Sequence, residues 1–187
     1  ALRRTIASSE TLSRSAKVRL RDLFQQHVRR SFSDDDVNAV LKFVGQKASV
    51  HVNVDLSKSI AGTPLLGLFV NDADGRYRTQ FETGTSGGST DLNSRRRWER
   101  RMFGDVYDNK DTERPVYGNL NLVPHRSGDR SARQYGGSYM VLKEPVRKRC
   151  TITSRDSSIE RAVLGTLGHF AHGLVDTVGR CISDAKK

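Results

Sequence analysis

Residues 50–56 read VHVNVDL, with Val50, Val52, Val54 and Leu56 alternating with His51, Asn53 and Asp55. A period of two predicts a β-strand with one apolar and one polar face. Upstream the period is helical. Leu12, Ala16, Leu20, Leu23, Phe24 and Val28 predict an amphipathic helix over 9–30. Ser33 then reads as an N-cap, Asp34 to Asp36 suit the positive end of the helix dipole, and Val37, Val40, Leu41 and Val44 form a second stripe. The pattern changes abruptly after Lys47. Residues 1–47 are therefore expected to be a helical unit, a natural place for partner recognition, and 48–187 the core.

Downstream, 57–70 read as a short helix and connection broken by Gly62 and Pro64. A strand is expected over 77–81, with Arg76, Arg78, Gln80 and Glu82 on its polar side. The loop GTSGGSTDLNS follows, and RRRWERRMFG predicts a short helix stopped by Gly104. Further strands are expected at 116–123, 138–143 and 149–153, with a polar loop over 125–137. Ser157 and Glu160 suggest a capping box opening a last helix with the stripe Ile159, Val163, Leu167, Phe170, Leu174 and Val178. Helices come first and strands later, without regular alternation. The fold class expected is α+β with mainly antiparallel strands.

The chain has 187 residues, 28% charged and 35% hydrophobic, enough for one domain with a buried core. No run reaches the roughly 18 apolar residues a membrane span needs, so no membrane partner is expected. The first residues lack the apolar segment of a Sec-type signal peptide. Cys150 and Cys181 form neither a metal motif nor a disulfide framework and read as reduced, packed thiols. The net charge of +11 would attract nucleic acid, acidic proteins or phosphate groups alike. The local run Arg95, Arg96, Arg97, Arg100 and Arg101 reads as a solvated helix face.

The chemistry concentrates in RYRTQFETGTSGGS, residues 76–89. Gly84, Thr85, Ser86, Gly87 and Gly88 would let backbone N–H groups approach a phosphate or ribose. The stretch is neither a Walker loop nor a GxGxxG fingerprint. A carboxylate, an arginine and a small-residue loop together suit cleavage of the nicotinamide–ribose bond of NAD. The carboxylate would orient ribose hydroxyls and nucleophile, the arginine would hold pyrophosphate, and Tyr77, Phe81 or Tyr117 would stack on nicotinamide. The five histidines are scattered, and His169 and His172 read as structural.

The ordered segments QFETGTSGGS, RRRWERRMFG with VYD, ERPVYGNLNL, GGSYMVLK and RCTITSRDSS, spanning about Val50 to Ser158, resemble a bacterial domain family of unknown function. That family is similar to bacterial effector ADP-ribosyltransferases that modify ubiquitin on a threonine. The resemblance implies an ADP-ribosyltransferase-like core of split antiparallel sheets, NAD as substrate, and an aspartate–glutamate pair at the site. It further implies a secreted bacterial effector acting in the host cytoplasm, with ubiquitin as protein acceptor.

VHVNVDL aligns with a family strand resembling NFHPDR, so Asp55 matches the family aspartate, Asn53 stands at the histidine position, and Leu56 replaces the basic residue. The family's Glu-x-Gln-x-His-Gly strand has only a poor echo in GHFAHG at 168–173. Glu82 is the preferred glutamate among those present, with Glu99 the other choice. The expected catalytic residues are Asp55 and Glu82. Those expected to hold NAD are Arg78, Gln80, Thr83, Gly84, Thr85, Ser86 and Tyr117, with no metal. Two other readings stand beside this one: a basic nucleic-acid-binding module, less favoured because no ordered basic–aromatic motif is present, and an inactive transferase-like domain that binds protein.

Overall fold

The computed structural model describes residues 1–187 except 29, 74, 86, 87, 89, 90, 124–127, 186 and 187. Its elements run α1 (Leu2–His27), α2 (Asp34–Gln46), β1 (Ser49–Val54), β2 (Ser59–Ile60), β3 (Thr63–Pro64), α3 (Leu65–Asn71), α4 (Gln80–Thr83), α5 (Leu92–Phe103), β4 (Asn119–Asn121), β5 (Ser138–Val141), α6 (Glu144–Arg147), β6 (Thr151–Thr153), β7 (Leu164–Thr166) and α7 (Ala171–Asp184). The fold is α+β, and every strand pairing described is antiparallel. Two compact units divide the chain: 1–48 with 144–187, and 49–143. By contacts, 144–187 belongs with the N-terminal helices and 49–143 stands as the other unit, a different division from the 1–47 and 48–187 expected from the sequence.

The reason lies in α1 and α7. Leu20 of α1 is fully buried, as are Ala171 and Leu174 of α7, and α7 packs along α1. Each such aliphatic side chain removed from water contributes about 1.5–3 kcal/mol. Small residues Thr5, Ser9 and Ser13 complete the buried stripe of α1, whereas Leu12, expected inside, is exposed. Ser13 Oγ also accepts the Ala171 N–H at 3.0 Å, so the start of α7 is capped by a side chain from α1.

Helix α2 begins as expected. Ser33 accepts the Asp36 N–H and the Asp36 carboxylate accepts the Ser33 N–H, a complete capping box that lowers the Asp36 pKa to about 2. Its far end is held by Arg147, whose buried guanidinium donates to the carbonyls of Val44, Gly45 and Ala48, each at 2.9 Å. A cation on the last carbonyls of a helix also opposes its dipole.

The last helix starts fourteen residues later than the capping-box reading of Ser157 placed it, at Ala171. Residues 164–166 instead pair as β7 with β6, and Phe170 folds back over them. A Cβ at Gly165 would lie 2.7 Å from the Phe170 ring, and one at Gly173 only 2.1 Å from it. These glycines serve close packing, which the helical period could not reveal. Cys150 is half-buried and Cys181 exposed, both reduced, so Cys181 is not the core thiol expected.

In the other unit, β1 is the centre of a three-stranded sheet ordered β4-β1-β5. Val50, Val52 and Val54 are buried on one face, as their alternation dictates. Helix α5 ends where the sequence places it, at Gly104 with φ 66°. The strand expected over 77–81 is absent: residues 80–83 form the one-turn helix α4. No helix among the described residues is long and apolar enough to cross a membrane.

Candidate functional site

Residues 76–84 fold around the Glu82 carboxylate. Thr79 Oγ1 accepts the Glu82 N–H and Glu82 accepts the Thr79 N–H at 2.9 Å, a capping box that starts α4. Gly84, at φ 65°, ends the helix in the left-handed region, its N–H donating to Gln80 O. The Thr-Gln-Phe-Glu spacing with glycine two residues on is therefore a complete helix sentence. It corrects the strand reading and moves Glu82 off any strand face.

Glu82 also receives both terminal nitrogens of Arg76, one at 2.9 Å. The Arg76 guanidinium, aided by the Thr79 N–H, lowers the Glu82 pKa to about 2. The carboxylate is thus ionised at neutral pH, the form that can orient a hydroxyl or steady positive charge. Arg78 forks onto Asp72 at 2.7 and 3.2 Å. Gln80 has a buried Oε1 with no hydrogen-bond partner among the described residues. Thr83 Oγ1 donates to Thr79 O at 3.1 Å, and Thr85 is exposed. Ser86 and Gly87 lie outside the described residues.

Behind α4 stands a buried polar network. Thr79 Oγ1 donates to Asp111 O at 2.8 Å, and Arg114 donates to Asp111 Oδ1 at 2.8 Å and to Glu99 Oε2 at 2.6 Å. Tyr117 donates to Glu99 Oε1 and accepts from the Trp98 indole, both at 2.9 Å. The guanidiniums of Arg114 and Arg96 stand over the Phe81 ring, 4.1 and 4.9 Å from its centroid. Tyr117 is tied by its hydroxyl to Glu99 and Trp98, and Phe81 has two guanidiniums near its ring. One expectation changes here: the arginine run is not wholly solvated, because Arg95 and Glu99 are buried. Glu99, as the alternative catalytic glutamate, is 1% exposed and fixed between Arg114 and Tyr117.

The polar face of β1 has a different character. Register sets Ser49 opposite Asn121, His51 opposite Asn119, and Asn53 opposite Tyr139, so these side chains share one face. His51 is only 2% exposed and stacks flat on the Tyr139 ring, with centroids 4.4 Å apart. Its Nε2 meets Ser49 Oγ at 2.8 Å. Burial lowers the His51 pKa, partly opposed by the Asp129 charge, so the ring is neutral at pH 7. Asn53 Nδ2 donates to Gly136 O at 3.1 Å, and Gly136 lies so close that a Cβ would sit 2.1 Å from the Val54 carbonyl.

Among the described residues, three buried atoms of this face have no hydrogen-bond partner: His51 Nδ1, Asn53 Oδ1 and Asn119 Nδ2. Each such group forfeits roughly 1–3 kcal/mol. Buried polar groups without a protein partner are ordinarily satisfied by ordered water or by a ligand. Asp55 continues the face just beyond β1, half-open to solvent. Its Oδ1 accepts from the Ser57 N–H and hydroxyl at 3.1 and 2.6 Å, which lowers its pKa. Asp55 and Glu82 therefore hold different partners.

A family model described as "Protein of unknown function (DUF3626)" matches residues 47–183. The chain belongs to the DUF3626 family. The DUF3626 match begins at the turn before β1 and ends within α7, so it takes in both the arginine–carboxylate network and the polar face. No curated protein and no solved structure matches the chain.

The residues that sequence reasoning missed in this DUF3626 member are Ser49, Asn119 and Tyr139. Asn119 and Asn121 alternate with Leu120 and Leu122, and Tyr139 alternates with Met140, so a period-two signal was present. What it lacked was register: only pairing with β1 shows that these side chains meet His51 and Asn53.

Proposed function

We propose that this chain is a mono-ADP-ribosyltransferase that transfers ADP-ribose from NAD to a protein acceptor, with ubiquitin, modified on a threonine, the acceptor its resemblance suggests. The observation that carries the reading is the polar face of β1. Its unpartnered donor and acceptors, on Asn119, Asn53 and His51, have the mixed polarity a ribose diol would satisfy. Asp55, at the open end of the same face and in the position of the family aspartate, orients a ribose hydroxyl or the incoming nucleophile.

The other residues take supporting parts. Arg78 supplies positive charge for pyrophosphate, Gln80 offers its unused carbonyl oxygen, and Thr83, Gly84 and Thr85 border the substrate. Glu82, ionised and clamped, holds the arginines in place. The reading carries with it secretion from a bacterium and action in a host cytoplasm. Leu12 and Val18, exposed on α1, support the first helices as a surface for the protein partner.

NAD titration followed by calorimetry tests this reading. Wild-type protein is expected to bind NAD, and Asn53→Ala and Asn119→Ala to weaken binding by about tenfold each, the worth of one or two hydrogen bonds. NAD binding that both substitutions leave unchanged would remove the polar face from the site.

A further inference from the structure

Helix α3 departs from the usual rule of burial. Five of its seven residues, Leu65, Leu66, Leu68, Phe69 and Val70, are large and apolar, yet none of the seven is buried. Leu66 and Val70 stand one turn apart on the same side of the helix, 55% and 75% exposed. Phe69 packs against Tyr77, ring centroids 5.4 Å apart, and Tyr77 is itself 36% exposed. Apolar surface gathered in this way, rather than scattered singly, marks a place of contact with another molecule.

The helix is tied to the turn that carries Asp55. The Lys58 N–H donates to Asp55 O at 3.1 Å, and Lys58 O accepts the N–H of Leu65, the first residue of α3, at 2.9 Å. The hairpin between them is short, with Ser59 opposite Pro64 and Ile60 opposite Thr63. Leu56, next to Asp55, is 38% exposed. The apolar helix is thus held two backbone hydrogen bonds from the residue that the transferase reading sets at the ribose.

We infer that this face, with Leu56, Leu66, Val70 and Tyr77, docks the protein acceptor through an apolar surface rimmed by basic side chains. The inference rests on the transferase reading and is additional to the α1 surface. Two observations choose the occupant. Residues 55–84 contain four acids (Asp55, Asp72, Asp74, Glu82) and three bases (Lys58, Arg76, Arg78), a net charge of −1 in a chain of +11. The segment therefore favours a basic partner, and for the same reason disfavours an anionic lipid surface. The exposed apolar area is on the order of 400 Å², about half of the roughly 800 Å² each partner gives to a stable interface. That suits a substrate that leaves after reaction, not a second copy in a permanent dimer.

The test uses the full chain with ubiquitin as the probe, and the variants Val70→Lys and Val70→Glu. Both change a side chain that is mostly in solvent, so both should keep a near wild-type Tm. Calorimetry without NAD reads docking, and transfer with NAD reads its kinetic effect. Val70→Lys, which sets a cation against a basic rim, should weaken ubiquitin binding and raise KM for ubiquitin by about tenfold or more. Val70→Glu should cost about threefold or less. KM for NAD, kcat at saturating ubiquitin and nicotinamide release without acceptor should all stay within about twofold of wild type.

Ubiquitin that does not bind the wild-type chain, or that binds both variants as well as it, overturns the docking. Equal losses in the lysine and glutamate variants overturn the basic rim. A wild-type dimer in sedimentation that Val70→Lys dissociates would assign the face to a second copy instead. A chain that docks ubiquitin through Val70 but releases no nicotinamide would uphold the docking surface and overturn the transferase reading itself.

Discussion

Glu99 and Arg114 meet at 2.6 Å in the interior, with side chains 1% and 4% exposed. Few arrangements cost more to break, because either partner alone is a buried, unpaired charge. Glu99→Ala is expected to destabilise the fold by about 3–5 kcal/mol in denaturant unfolding, and Arg114→Ala by a similar amount. The double variant should be less unstable than the two single losses added together, since no charge is stranded in it. Additive losses would show that the pair does not act as a unit. Tyr117→Phe, which removes one donor to Glu99, should cost only about 1.5–3 kcal/mol.

The second expectation concerns acid. The Glu82 pKa falls from an ordinary 4.5 to about 2 through Arg76 and the Thr79 N–H. A depressed carboxylate contributes stability that is fully present above its unfolded pKa and is lost as pH falls through its folded one. Wild-type protein should therefore lose this contribution between about pH 4.5 and 2. Glu82→Gln should have a lower Tm at pH 7 and converge on wild type near pH 2. Asp36 titrates over a similar window, so the difference between the two proteins, not either curve alone, isolates Glu82. A constant Tm difference from pH 7 to 2 would show that Glu82 is not held by these partners.

How far the sequence could lead is visible residue by residue. Local signals were reliable: the period of two at Val50–Val54, the Ser33 cap with Asp36, and the Gly104 stop all recur in the structure. Thr79 to Gly84 was equally local and was misread, because polar alternation from Arg76 to Glu82 mimics a strand while the capping box spells a helix. The arginine run misled for another reason. Charge predicts solvent, but Arg95 and Glu99 share a helix face with Trp98 and Phe103 and are buried with them.

Non-local facts could not be read at all. Ser13 capping α7 and Arg147 closing α2 join residues far apart in sequence. The site was half legible. Asp55 and the polar residues of β1 were visible in the alternation, whereas Asn119 and Tyr139 joined them only through strand register.

The central claim is transfer of ADP-ribose from NAD by the unit that holds β1. The most direct measurement incubates the chain with NAD labelled in its adenylate half and with ubiquitin, and compares it with Asp55→Asn. Label should appear on ubiquitin with stoichiometric release of nicotinamide. Asp55→Asn, whose Oδ1 can still accept from Ser57 and whose Tm should therefore stay close to wild type, should lose at least about 10²-fold in rate. Wild-type protein that neither labels ubiquitin nor releases nicotinamide would contradict the account.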